Sequence, residues 1–315
     1  MSGDEAYVKV YNGYIESTIT GDKNRDCLYD FSQYLLANSK SCSTVYNYVK
    51  YIKRFLNESN SVENLTLSDY IKFLNKYQMK TSSYRVNIYT ALKWFSRFLL
   101  ATNVNKTDPM QFVHRPEMKE SLKTIARREN KIISTKQMKN IVSLSSDNIR
   151  NEVICVLLTH TGMRCKGLWK LDIDDIDFKN HMITTIDKGD KIQKYYLDDQ
   201  TLSLLILWLN KRAEILKGKP ESALFISSKT SKRISRESIS KVVRKYGNEI
   251  GMHVTPHMLR SGAITAVYNA TKDIYVAQQF AGHNSAKTTE LYIRDKDNNA
   301  RKEGAKIMSD IFSNN

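Results

Sequence analysis

The stretch STVYNYVKYIKRFL, residues 43–56, places apolar side chains at Val45, Val49, Ile52 and Leu56, in steps of four, three and four. That spacing lays one apolar stripe along a helix and does not fit a strand, whose side chains alternate with a period of two. Ser43 is the candidate N-cap. Lys50, Lys53 and Arg54 are read as the opposite, polar side. SSYRVNIYTALKWFSRFLL, residues 82–100, repeats the pattern, with Ile88, Leu92, Phe95 and Leu99 facing inward. Arg85, Lys93 and Arg97 form a second stripe with Tyr89 between them. The helical pattern holds from residue 22 to about 101, so this part of the chain is expected to be a small helical domain.

Past residue 101 the rhythm changes. VNKTDPMQFVHRPE carries two of the four prolines, and MKESLKTIARRENK after it repeats a cation every fourth residue at Lys119, Lys123, Arg127 and Lys131. A domain junction is placed there, near residue 130. Beyond it a helix is expected to start after Ser134 and Thr135, followed by the apolar helix NEVICVLLTH. MITTIDKGDKIQKYYL, residues 182–197, has two β-prone halves around Asp187-Lys188-Gly189-Asp190, a hairpin signal. Helices return from residue 200. The expected fold is mainly α with a small antiparallel β-sheet. Its parts are an arm over 1–21, a helical domain over 22–105, a basic linker over 106–131, a second domain over 132–297 and a tail helix over 298–315. Ile307, Met308, Ile311 and Phe312 recur at helical spacing in that tail, which is too short to be stable undocked.

Charge narrows the function. Lys and Arg number 49 against 33 Asp and Glu, a net charge of +16, which calls for a polyanionic partner. The basic stripes make Lys50, Lys53, Arg54, Arg85, Lys93, Arg97, Lys119, Lys123, Arg127 and Lys131 candidate DNA contacts, and Arg236, Lys241 and Arg244 are added to them. A membrane is not the expected partner. The longest apolar run, LSLLILWL, falls far short of the ~18 residues a span needs, and MSGDEAYVKV lacks the order of a signal peptide. Cys27, Cys42, Cys155 and Cys165 form no CxxC and are read as reduced thiols of a cytoplasmic, nucleoid-associated protein.

Several stretches of the second half carry candidate chemistry. In LLTHTGMRCKGLWKLDIDDID, Gly162 permits a tight turn just before Arg164. Asp172, Asp174, Asp175 and Asp177 lack the glycine and closing glutamate of a calcium loop, so no metal site is expected. Lys188 falls at the hairpin tip. TPHMLRSGAIT sets His257 and Arg260 three apart at a helix start opened by a proline, a ready anion site. AGHNSAKTTELYIR supplies His283 and Tyr292. Tyr292 is one of 18 tyrosines, and each of these residues taken singly has an ordinary structural explanation. Together they make a set for phosphoryl transfer: two arginines, a lysine, two histidines and a phenol.

The set resembles that of the tyrosine recombinase, or phage integrase, family. TGMRCKGLWKL is similar to the family's Thr-Gly-Leu-Arg box, DKGDK to its lysine hairpin and HMLRS to its His-x-Leu-Arg-His box. AGHNSAKTTELYIR is similar to its Leu-Gly-His-to-Tyr ending, and the resemblance covers most of residues 22–297. Three positions depart from the pattern: Gly167 where the family often has an acidic residue, Ser261 where a second histidine is common, and Asp187 in place of the first hairpin glycine.

The resemblance implies a helical core-binding (SAM-like) domain and a mixed α/β catalytic domain that form a clamp around DNA. It implies a site-specific recombinase that exchanges strands through a 3′-phosphotyrosine and a Holliday junction. Tyr292 would be the nucleophile, Arg164, Arg260 and His283 the phosphate clamps, His257 the proton acceptor and Lys188 the acid for the 5′ oxygen. Neither a metal nor another cofactor is implied. The partner would be double-stranded DNA with short inverted-repeat core sites, bound by a homo-tetramer across two sites, with a monomer or weak dimer off DNA. Chromosome-dimer resolution (Xer-like) and a mobile element's integration both fit. A binding-only architectural protein and a type IB topoisomerase-like relaxing enzyme are the competing readings; the six intact residues weigh against the first, the helical domain and tail against the second.

Overall fold

The computed structural model describes residues 22–59, 62–117, 133–187 and 191–282, together with Thr289, Lys306, Met308 and Ser309. The chain divides into two compact units, Met1–Ile125 and Ala126–Asn315. The arm over 1–21, the stripe at Lys119, Lys123, Arg127 and Lys131, and Lys188, His283 and Tyr292 lie outside the described residues. So does most of the tail, of which Lys306, Met308 and Ser309 are helical and exposed.

Among the described residues the first unit packs four helices: α1 (Asp22–Ala37), α2 (Cys42–Glu58), α3 (Leu67–Asn75) and α4 (Ser82–Ala101). The apolar stripes expected from the sequence form its core. Val45, Val49, Ile52, Ile88, Leu92, Phe95 and Leu99 have no exposed surface, and Phe31 of α1 meets Phe95 edge-on at 5.1 Å. Each such side chain contributes about 1.5–3 kcal/mol when removed from water. The N-cap of α2 is Ser41, not Ser43, and its side chain accepts from the amide of Thr44.

Lys53 is a second correction. It is 3% exposed, not on a polar face, because it follows Val49 by four residues and Val45 by eight and so falls on the apolar stripe. Burial lowers its pKa. Tyr89 is likewise in the core and donates its hydroxyl to the carbonyl of Val113 at 2.9 Å. With Met110 fully buried in the same cluster, packing of this unit continues past residue 105.

In the second unit, α5 (Thr135–Leu144) opens on a capping box between Ser134 and Gln137. The next helix, α6 (Ile149–His160), is the central one: Val153 to Leu158 are all buried, so it is apolar on every side. α7 (Cys165–Lys170) leads into an antiparallel sheet, β1 (Ile176–Asp177), β2 (Met182–Asp187) and β3 (Lys191–Tyr196), in that spatial order. Ile183 pairs with Tyr195 on its buried side, whereas the Ile186–Ile192 pair is exposed. The helices α8 (Asp199–Leu216), α9 (Arg236–Glu249), α10 (Pro256–Thr271) and α11 (Ile274–Ala281) follow.

The aspartates after α7 have local work. Asp172 pairs with Arg233 and accepts from Ser222, Asp175 caps the backbone amide of Asp172 at 2.9 Å, and Asp177 closes a turn at Asn180. All four cysteines are free thiols, and burial raises the pKa of Cys27 and of Cys155 to about 12. Among the described residues no helix is long and apolar enough to cross a membrane.

Candidate active site

Three segments of the second unit meet around one guanidinium. Arg260 is the fifth residue of α10, a helix that starts on Pro256 behind the N-cap Thr255, whose hydroxyl accepts from the amide of Met258 at 3.3 Å. The side chain is 3% exposed. Its Nη1 donates to the carbonyl of Gly162 and its Nη2 to that of Ala281. The turn after α6 and the end of α11 are thereby held together by a buried cation.

The turn after α6 is shaped to deliver Arg164. Thr161 ends the helix by bonding back to the carbonyl of Leu157, and its hydroxyl accepts from the amide of Met163 at 3.2 Å. Gly162 has φ +61°, and a Cβ there would come within 2.8 Å of the ring of Phe280 on α11. Only glycine meets both demands cheaply. With Met163 turned into the core, Arg164 emerges half-buried at the N-cap position of α7.

His257 completes the described part. Its pKa is lowered first by burial, then by the positive charges of Arg260 and Arg164, so the two arginines and the imidazole share one electrostatic environment. A neutral imidazole beside two fixed cations can accept a proton near neutral pH, and the cations suit a phosphate. Of the six candidate catalytic residues, Arg164, His257 and Arg260 are therefore brought together. Lys188, His283 and Tyr292 are not described, but the elements next to two of them are. Gly282, in the left-handed conformation at φ +59°, ends α11 immediately before His283. The side-chain amide of Gln193 on β3 occupies the space where a Cβ on Gly282 would sit, so the hairpin that leads to Lys188 packs on the turn that leads to His283. Gln193 and Phe280 are supporting residues that sequence reasoning did not pick out, since neither has a periodic or motif signal.

Residues 131–299, more than half of the chain, match the model of the phage integrase family. The chain belongs to the phage integrase family. Tyrosine recombinase XerA of Pyrococcus horikoshii is 29% identical to this chain over 301 residues, 92% of this chain and 96% of XerA. Tyrosine recombinase XerC of Vibrio cholerae serotype O1 is 27% identical over 219 residues, 68% of this chain and 67% of XerC. A solved structure of XerH site-specific recombinase bound to palindromic difH substrate has the same fold, with a TM-score of 0.64 at 18% identity over 98% of this chain and 94% of XerH. So does lambda integrase in a tetramer bound to a Holliday junction, at a TM-score of 0.65, 17% identity and 92% and 81% coverage.

The remaining basic candidates of this chain differ in what they can offer DNA. Arg97, Arg236 and Lys241 are exposed, and Lys50, Arg85 and Lys93 half-buried, with Lys93 lying 5.9 Å over the ring of Tyr89. Arg244 is half-buried and 3.7 Å from Glu237. Arg54 is exposed and donates to the hydroxyl of Tyr84 at 3.3 Å. Lys53, buried in the core of the first unit, has no open side to present.

Proposed function

We propose that this member of the phage integrase family is a site-specific DNA recombinase that cuts and rejoins double-stranded DNA through a covalent 3′-phosphotyrosine at Tyr292. The observation that carries the reading is the convergence of Arg164, His257 and Arg260 at one cationic site of a chain of the phage integrase family. In the proposed step the phenol oxygen of Tyr292 attacks the scissile phosphorus and the bond to the 5′ oxygen breaks. His257 takes the phenolic proton, and Lys188 protonates the departing 5′ oxygen. Arg164, Arg260 and His283 bear on the non-bridging oxygens, whose charge grows in the transition state. Because the phosphotyrosine keeps the bond energy, the reverse attack by a 5′ hydroxyl rejoins the strand.

The unit that ends at Ile125 is assigned to core-site binding and the later unit to catalysis. Four copies acting on two sites, through a Holliday junction, is the assembly that the lambda integrase fold relative supports. Short inverted-repeat core sites are the proposed substrate, and the genomic position of such a site decides between dimer resolution and integration.

The test is a duplex carrying the target site with a nick that lets the 5′ fragment escape. Wild-type protein becomes covalently attached, and Tyr292→Phe binds with unchanged affinity but does not attach. Absence of attachment by the wild type on DNA that it binds specifically would overturn the reading in favour of a binding protein.

A further inference from the structure

Gly162 is held at two atoms from two different helices. Its carbonyl accepts from Arg260 of α10. Over its Cα lies the ring edge of Phe280 of α11: a Cβ built at Gly162 would stand 2.8 Å from Cε1 and 3.2 Å from Cζ. Phe280 is half-buried and stands outside the main core of the unit. It packs against a small separate cluster in which Ala277 and Ala281 of α11 meet Ile264 of α10. The ring therefore ties the end of α11 to the turn that presents Arg164.

That turn needs holding. Glycine has the widest choice of backbone conformations, and at φ +61° Gly162 uses one that other residues rarely adopt. Thr161 ties the turn locally by accepting from the amide of Met163, whose side chain is fully buried. Arg164 comes next, and its charge acts on His257 together with that of Arg260. Cations that share a site repel one another until an anion joins them. A released Gly162 would let Arg164 yield to that repulsion, and the site would have to reassemble at each encounter with phosphate. An aromatic ring opposes the movement without adding any charge, so the field that meets the phosphate is kept.

We propose that Phe280 is a positioning residue of the phosphate clamp: its ring fixes the Gly162 turn, so that Arg164 stays on the non-bridging oxygens while Tyr292 attacks. This rests on the recombinase reading above and adds a residue that acts through another.

Cleavage of the nicked duplex by the full chain tests it, with three forms of the scissile linkage. The first is the natural phosphate. The second is a methylphosphonate, in which a methyl group replaces one non-bridging oxygen and removes the charge that a clamp meets. The third carries sulfur in place of the 5′ oxygen; it leaves as a thiolate and needs no proton. On phosphate, Phe280→Ala is expected to cleave about 10- to 100-fold more slowly than wild type, the effect of a misplaced catalytic group. On the methylphosphonate most of that difference disappears, and Arg164→Ala, inactive on phosphate, gains cleavage. On the sulfur linkage the Phe280→Ala deficit remains, whereas that of Lys188→Ala is relieved. Phe280→Leu keeps an apolar side chain on α11 but loses the flat edge, and is expected to show the same pattern at smaller size. It keeps the test decisive should Phe280→Ala unfold. A ring needed only for folding gives equal deficits on all three linkages. That result overturns the proposal, as do wild-type rates from Phe280→Ala or no gain by Arg164→Ala on the methylphosphonate. Wild-type protein that binds its site and cleaves none of the three overturns the recombinase reading, and this proposal with it.

Discussion

Arg260 holds the carbonyl of Gly162 with one terminal nitrogen and that of Ala281 with the other, so a single buried cation fixes the turn that presents Arg164. Arg260→Ala leaves two buried acceptors without a donor. Unfolding in urea is expected to show a loss of about 2–5 kcal/mol. Arg164→Ala, at a half-buried position, is expected to change stability by less than about 1 kcal/mol while abolishing covalent attachment to DNA equally. Equal stability losses in the two variants would show that Arg260 is not the clip described.

The glycines separate in the same assay. Gly162→Ala and Gly282→Ala each combine a left-handed backbone with a collision, against Phe280 and Gln193 respectively. Gly162→Ala is expected to cost more than the ~1–2 kcal/mol of the backbone conformation alone, and Gly282→Ala about that amount, since the end of Gln193 can turn aside. Gly167 lies within α7, and a Cβ there meets nothing within 4 Å. Gly167→Ala is expected to raise stability by about 0.5–1 kcal/mol.

The pH dependence rests on His257. Burial and two neighbouring cations disfavour its charged form, so the imidazole stays neutral to a lower pH than the ordinary histidine value of 6.5. The acid limb of phosphotyrosine formation is therefore expected below pH 6.5. The folded state also binds this proton less readily than the unfolded one, so His257 makes stability fall as pH drops through 6.5 toward the lowered folded value. His257→Gln removes that part of the slope, which urea titrations at a series of pH values would read.

Lys53 and its neighbours give a contrast in DNA binding. Lys50→Ala and Arg97→Ala are each expected to reduce the slope of log affinity against log salt by about 0.9, the signature of one lost phosphate contact. Lys53→Met is expected to leave the slope unchanged.

These contrasts mark how far the sequence can be read. Val45, Val49, Ile88 and Phe95 lie where their period puts them, and so do the 182–197 hairpin and the Ser134 cap, because each depends on chemistry within a few residues of chain. Lys53 departs from expectation because its place four residues after Val49 outweighs its residue type. The contact of Gln193 with Gly282, the bond from Arg260 to Ala281 and the closure of Phe280 over Gly162 link distant segments. Nothing local announces them. The motif positions of Arg164, His257 and Arg260 are legible, but the buried clip that Arg260 makes is not.

The packing of Gln193 on Gly282 has a consequence for descent. A lineage of this chain that enlarges position 282 must displace the end of the glutamine already there and also accept the left-handed backbone, which asparagine tolerates better than other residues. A smaller residue at 193 removes the first of these demands, so a relative that carries a bulkier residue at the second position is expected to carry a smaller one at the first more often than chance.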